Sequence, residues 1–573
     1  MLNQTLATSP YDPARYVGSV TYVGPESTRI NLPFAASIGA RQHAGYAVHA
    51  GLVGEFVFIQ GEEIAVLGRI VEVWLPDRER LSVEEPSNGP PTNHPTGNVQ
   101  LLTSLDLRSG SVISGIPEHP RIGQHVFSAH PLLVQQMVEG RTSGPLVELA
   151  ALPQDSQTKV HLAPTRLFGR HCALLGATGG GKSWSVARIV GEIERLHGKV
   201  VLIDPTGEFH TVQGATRHVY LGGTADGPDD KRLFAGFPYW LLSELDLFAI
   251  FQPSNATQAP KLREALRSLK LAYVIDGDKA EPYVKQNKSR KDFFRLWAQH
   301  EASVEGEGAK YSIQNLPKQI LEECVYETAR DQPDHWGGTN DQVRGYCETL
   351  VAKVYSITRS KPLACLFKPD DYPFSLPDIL DDFLQSADAV LRVSMENVPF
   401  EHNARELMVN AIGRYLLHRA RQGAFKSLPL VVALDEAHQF LNKDIGDEAH
   451  HIKLDAFGIV AKEGRKYGLT VLLATQRPRD IPEDVLSQMG MFIVHRLINQ
   501  RDREIVEKAC GNLDGSATAF LPTLGQGEAI LVGVDFPMPT PVRILPPKYH
   551  PESKGPNYEE CWGLKSSPDD QRT

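Results

Sequence analysis

Gly176-Ala-Thr-Gly-Gly-Gly181-Lys182-Ser183 is the stretch on which the reading of the fold turns. It follows the apolar run HCALLGA (171–177). It precedes Val186, Ile189, Val190, Ile193 and Leu196, which recur at helical spacing until Gly198 closes the segment. Strand, glycine-rich turn and helix form the context in which G-x-x-x-x-G-K-[ST] binds phosphate. The glycines let the backbone wrap a triphosphate with its N–H groups inward, and the helix N-terminus adds the positive end of its dipole. Lys182 would neutralise β- and γ-phosphate charge, and the Ser183 hydroxyl would ligate Mg²⁺. Nucleotide contact is therefore expected from Gly176, Ala177, Thr178, Gly179, Gly180, Gly181, Lys182, Ser183 and Trp184. The competing reading is a chance glycine-rich turn, and the correct flanks argue against it. VVLID (200–204) is the next buried strand, so the unit is βαβ and predicts a parallel sheet.

Downstream runs place further polar groups beside this loop. Val431-Val-Ala-Leu-Asp435-Glu436 is an apolar strand with acids at its C-terminal end. Asp435 can hold the Mg²⁺ shell, often through water, and Glu436 can act as general base on the attacking water, which argues for hydrolysis. Ala474-Thr475-Gln476-Arg477-Pro478 ends the next strand. Gln476 there is read as a γ-phosphate sensor, against the plainer reading of a strand-end turn stopped by Pro478. Lys462-Glu-Gly-Arg465-Lys466-Tyr467-Gly468 is a cationic helix end. By itself it reads as basic residues complementing a helix dipole, although an arginine presented to a neighbouring subunit has the same appearance. Asp204, in Asp204-Pro-Thr-Gly-Glu208-Phe209, ends the second strand of the sheet. It is a candidate Mg²⁺ or water contact, or a turn cap. Lys285, Lys288, Arg290, Lys291 and Arg295 lie near Phe293, Phe294 and Trp297. That stretch fits a nucleic-acid grip less well than one solvated helix face over a core face. His438, His450 and His451 do not fit a zinc pattern and read as ordinary histidines.

The flanking regions complete the layout. Residues 1–15 read as a loose tail, and 16–150 as short strands forming a small barrel: YVGSVTYVG (16–24), GEFVFIQ (54–60), EIAVLGRIVEVWL (63–75), VQLLTSLDL (99–107) and GQHVFSA (123–129). A Pro-rich loop is expected over 76–98 and a connector over 131–170. Residues 225–385 read as mostly helical, KLREALRSLKLA (261–272) and LEECVYETAR (321–330) being examples, and the sheet resumes at VLRVSM (390–395). The chain from 546 is polar and Pro-rich, a strap more than a domain. Lys+Arg 59 against Asp+Glu 69 gives −10, which excludes a basic coat over the whole 573-residue chain but not a local basic channel. No apolar run approaches the roughly 20 residues of a membrane span. The first residues lack the pattern of a signal peptide, and six scattered cysteines without CxxC suit reduced thiols, so a cytoplasmic protein is expected.

GATGGGKS, DPTGEF, LDEAHQFL, EGRKYGL, ATQRP and SQMGMFIVHRLIN occur in this order, and together they resemble the HerA family of hexameric DNA translocases, relatives of the FtsK motors. The resemblance is firm over 165–210 and 425–545. It implies an α/β fold: a RecA-like P-loop ATPase core (151–224 and 386–545), an inserted helical subdomain (225–385), a small N-terminal β-barrel (16–150) and a C-terminal strap (546–573). It also implies a homo-hexamer around double-stranded DNA, with ATP and Mg²⁺ between neighbours. Arg465 would then be an arginine finger acting in trans, Arg170 a second interface arginine, and Gln476 the sensor. The loop reads GGGKS where many relatives have GSGKS, a conservative departure.

Three roles fit this resemblance. One is a translocase working with a separate nuclease in DNA end processing, docked on the barrel. A second is the same ring in antiviral defence, paired with a nuclease or a sirtuin-like NAD-consuming effector and serving as much as scaffold as motor. The third is a conjugation or secretion ATPase, whose members usually carry or bind a membrane segment.

Overall fold

Short strands with alternating burial open the chain, and their pairing closes a barrel. The computed structural model describes residues 6–35, 41–43, 46–49, 51–75, 94–140, 144–224, 230, 232–306, 308–441, 444–445, 452–511, 515–534, 536–552, 558 and 562. Strands Ser27–Asn31, Tyr16–Val23, His125–Ser128, Phe56–Ile59, Ile64–Trp74 and Thr96–Asp106 pair in that order, and the last returns to the first. Val17, Val20, Ile30, Val57, Ile59, Ile70, Val99 and Val126 fill its interior. Because side chains alternate faces along a strand, Phe56 and Phe58 point the other way, into a core shared with Leu133, Leu149 and Leu174. The barrel is therefore seated on the rest of the molecule by its own strand periodicity. Most of the loop expected over 76–98 lies outside the described residues; its end, from Thr96, is already strand.

The second architectural element is a 13-stranded sheet. Its order is Asp155–Leu162, Val147–Leu152, Thr540–Ile544, Glu528–Gly533, Met489–His495, His171–Leu175, Leu469–Thr475, Leu430–Leu434, Lys199–Asp204, Val390–Ser394, Thr216–Leu221, Leu233–Gly236 and Phe374–Ser375. From Met489–His495 onward the strands run parallel, as the βαβ pattern predicts. The strands before it are antiparallel. The central strands are wholly buried and mostly apolar, their polar residues falling at or next to the strand ends, as expected when helices cover both faces.

Several expectations are corrected here. The connector expected over 131–170 is the helix Pro131–Glu139, the hairpin Val147–Leu152/Asp155–Leu162 and a short helix, Pro164–Phe168. Position 150, where the sequence reading ends the barrel, lies inside a strand paired with Thr540–Ile544 of the large sheet. The segment 225–385 holds the helices Glu244–Phe251, Gln258–Asp276, Arg290–Val304, Leu316–Glu322, Asp341–Thr358 and Leu376–Gln385. It also sends two strands back to the sheet, Leu233–Gly236 and Phe374–Ser375. LEECVYETAR is helical only at its start: the helix stops at Glu322, and Val325 bridges Thr339 instead.

Lys285 also leaves the basic stretch. Its ammonium pairs with buried Glu323 and lies 5.0 Å from the Phe293 ring centroid and 4.9 Å from that of Trp336. Lys291 and Arg295 are tied to Asp334 and Asp292. The stretch is a folded helix edge with a satisfied core lysine, as its plainer reading holds. Among the described residues no helix is long and apolar enough to cross a membrane.

Candidate active site

Register alone brings the site together. In the parallel sheet Leu175 pairs with Thr475 on one side and with Val494 on the other. Gly176, Gln476 and His495 therefore emerge side by side. One strand further, Leu434 pairs with Leu473, which puts Asp435 at the same edge. This is the carboxyl edge of the sheet, where α/β proteins bind ligands.

Lys182, at the first turn of helix Lys182–Arg195, is buried and sits between the two acids. Its Nζ donates to Asp435 Oδ1 at 2.7 Å and to Glu436 Oε1 at 2.7 Å. Burial alone would lower the Lys182 pKa; the two carboxylates together reverse that and raise it. Burial pushes Asp435 up to about 6, against the pull of Lys182. Glu436 Oε1 also accepts from Gln476 Nε2 at 2.5 Å, and the Thr178 hydroxyl donates to Gln476 Oε1 at 2.5 Å. A hydrogen-bonded chain thus runs from the glycine loop through Gln476 to Glu436. Glu436 itself has φ 47°, a left-handed backbone that costs a non-glycine residue about 1 kcal/mol. From that backbone its carboxylate reaches Lys182 and Gln476.

The glycine loop is shaped from behind. Gly181 has φ 110°, and a Cβ there would meet Gly527 Cα at 3.1 Å. A Cβ on Gly176 would lie 2.6 Å from the Cβ of His495. His495 is the residue that sequence reasoning missed. It is fully buried, with Nδ1 2.9 Å from the Glu528 carbonyl oxygen and Nε2 2.8 Å from Ser185 Oγ. A carbonyl only accepts, so Nδ1 carries the hydrogen and Nε2 accepts from Ser185. The imidazole is a neutral wedge joining the loop, its helix and the strand Glu528–Gly533. A single polar residue ending the apolar run MFIV was the available signal.

Burial pushes His495 down to about 4, whereas an unfolded histidine titrates near about pH 6.5. The unfolded chain binds the extra proton first. The stability from keeping this ring neutral is therefore complete above about pH 6.5 and is lost as the pH falls toward about 4. His495→Gln removes that contribution. Its melting temperature is expected to start lower at neutral pH and to fall less steeply between about pH 6.5 and 4.5 than that of the wild type. Parallel curves would contradict the assignment.

The chemistry of the donors fits Mg²⁺ at Asp435 and Ser183. Asp435 Oδ2 is buried and has no hydrogen-bond partner among the described residues, the state of an oxygen available to a hydrated cation. Asp204 does not fit, which corrects the sequence expectation. Its carboxylate is wholly buried, bonded to Arg392 Nε at 2.7 Å and to the backbone N–H groups of Gly207 and Phe209. It caps the turn. Trp184 stands in the first turn of helix Lys182–Arg195, and its indole packs with its ring centroid 4.7 Å from that of His550, against the C-terminal segment. That segment is held by Pro546 and His550 carbonyls accepting from Arg188 and Thr211. His438 joins the site, with Nδ1 3.3 Å from Glu436 Oε2. His450 and His451 lie outside the described residues.

Arg170 and Arg465 are not at this edge. Arg170 precedes His171 at the start of one central strand, its Cβ packed close against Gly490. Arg465 is exposed on the turn Gly464–Tyr467, just before the strand Leu469–Thr475. Both stand at the amino ends of strands whose carboxyl ends carry the loop and Gln476. The five residues of His171–Leu175 span about 16 Å between the two edges.

A phosphate-binding loop, a buried lysine, two strand-end carboxylates and a polar sensor define a P-loop enzyme that hydrolyses ATP. Comparison with known proteins gives its family. The model of the helicase HerA central domain matches residues 147–357, and that of the helicase HerA-like C-terminal domain matches 421–548. The DNA double-strand break repair helicase HerA of Pyrococcus furiosus is 25% identical over 448 residues, 74% of this chain and 73% of its own. A probable helicase of Methanocaldococcus jannaschii is 25% identical over 477 residues, 78% of each chain. Among solved structures, VirB4 of Thermoanaerobacter pseudethanolicus aligns with a TM-score of 0.45 at 13% identity, covering 74% of this chain and 100% of that one. The plasmid coupling protein TrwB bound to an ATP analogue aligns at 0.41 and 14%, covering 73% and 98%. The chain belongs to the HerA family.

Proposed function

We propose that the protein is a cytoplasmic ATP-driven translocase on double-stranded DNA, assembled as a homo-hexamer whose active sites are completed between neighbours. The observation that supports this most is the opposed placement of the two halves of the chemistry. Lys182, Asp435, Glu436 and Gln476 stand at one edge of the sheet, and Arg170 and Arg465 at the other. A head-to-tail ring sets one subunit's arginine edge against the next subunit's loop edge.

In this reading the ATP phosphates take Lys182 and the loop N–H groups. Bound Mg²⁺, held through Asp435 and Ser183, supplies charge neutralisation on the phosphates. Glu436 accepts the proton of the attacking water. Gln476 passes from Glu436 to the γ-phosphate, so that the base is released when ATP is in place. Arg465 of the neighbour, with Arg170 beside it, stabilises the transition-state charge. The C-terminal strap braces a neighbouring subunit. The barrel carries a nuclease or other effector that acts on the DNA the ring moves, in end processing or antiviral defence.

Backbone tracking needs no sequence information and is sensitive to salt. Long duplexes of unrelated sequence are therefore expected to stimulate the ATPase equally, and less as salt rises, with light scattering giving the mass of six chains. Hydrolysis indifferent to DNA at every salt concentration would overturn translocation and leave a ring acting as scaffold for its partner.

A further inference from the structure

Glu436 offers two oxygens to different surroundings. Oε1 is taken by Lys182 and Gln476. Oε2 is buried and forms no hydrogen bond among the described residues; His438 Nδ1 stands 3.3 Å from it. The same nitrogen forms a hydrogen bond with Thr475 Oγ1 at 3.2 Å, and that oxygen itself accepts the Arg477 N–H at 3.0 Å. His438 rides on the single turn Ala437–Gln439, which the left-handed backbone of Glu436 introduces. One backbone bend thus brings the two side chains to within 3.3 Å of each other. A bare lone pair on Nδ1 facing a carboxylate is repulsive, so the surroundings select the tautomer with the hydrogen on Nδ1. A zinc role is not supported: no cluster of three metal-ligating side chains occurs among the described residues.

We infer that His438 is a positioning residue for the general base: with Nδ1–H held on Thr475 Oγ1, the positive edge of the imidazole faces Glu436 Oε2 and fixes the orientation in which that oxygen takes the proton. The inference rests on the hydrolytic reading of the site. Its force comes from the contacts that bound ATP would remove. Phosphates that claim Lys182 and Gln476 withdraw both partners of Oε1. The His438 contact is then what remains to hold a side chain of three rotatable bonds on a strained backbone. His438 touches no phosphate in this scheme and acts only through Glu436.

The test is steady-state ATP hydrolysis by the full-length protein with His438→Ala and His438→Asn, beside wild type and Glu436→Gln. A misplaced base loses rate without losing substrate. His438→Ala is therefore expected to lower kcat about 10- to 100-fold with KM for ATP within about threefold. His438→Asn places an amide N–H where Nδ1–H stands and is expected to recover most of the rate. The inference is overturned if His438→Ala stays within about twofold of wild type, if KM rises as kcat falls, or if Asn is no better than Ala. Full activity of Glu436→Gln would instead bring down the hydrolytic reading and this inference with it. With that control inactive, the His438 result bears on His438 alone.

Discussion

Glu436→Gln is expected to abolish ATP turnover while leaving ATP bound. The amide keeps the size of the side chain and an oxygen for Lys182, so the buried cluster retains its packing. What it loses is basicity. General-base catalysis contributes on the order of 10²- to 10⁴-fold, and that is the fall expected in kcat. Binding should hold or tighten, because Lys182 now shares its charge with Asp435 alone and is freer to meet phosphate. Equilibrium binding of ATP and single-turnover hydrolysis separate the two effects. A variant that hydrolyses at more than about a tenth of the wild-type rate would show that Glu436 is not the base. Lys182→Ala makes the useful contrast, since it leaves two buried carboxylates without their cation and damages binding and stability together.

Arg465→Ala is the second large effect, on the proposal that this arginine acts in trans. A finger arginine is worth about 10³- to 10⁵-fold in phosphoryl transfer. Arg465 is exposed, so its loss should leave the melting temperature nearly unchanged, unlike a core substitution. Nucleotide binding should also survive, because the residue stands before the seven-residue strand Leu469–Thr475, about 23 Å long, whose far end lies at the loop edge. Lysine is not expected to rescue, since a point charge does not reproduce the planar fork of a guanidinium. Unchanged turnover in Arg465→Ala would refute the assignment.

Much of this site was legible because its residues are set by local pattern. GATGGGKS, VVALDE and LLATQ each carry their own strand and turn, and a parallel register then forces Gly176, Asp435 and Gln476 to one edge. The barrel was legible for the same reason, since GEFVFIQ and GQHVFSA carry the β-branched and aromatic residues of strands between glycines. The failures have a common cause in partners remote in sequence. Asp204 looks like a metal ligand until Arg392, 188 residues later, is seen to neutralise it. The hairpin around 147–162 was missed because its edge strand DSQTKVHL is largely polar, and its inner strand Val147–Leu152 joins the sheet only beside Thr540–Ile544, far along the chain. His495 escaped notice because its role is to shape a loop from behind, and no ligand pattern marks that.

The central claim, that each active site is built by two subunits, is tested most directly by mixing two inactive variants. Glu436→Gln keeps Arg465, and Arg465→Ala keeps Glu436. In rings assembled from equal amounts of both, about a quarter of the interfaces join an intact base to an intact arginine. The account predicts that ATPase activity absent from either variant alone returns on co-assembly, to about that fraction of wild type if interfaces act independently. Mixed rings, verified by mass, that remain as inactive as their components would contradict it.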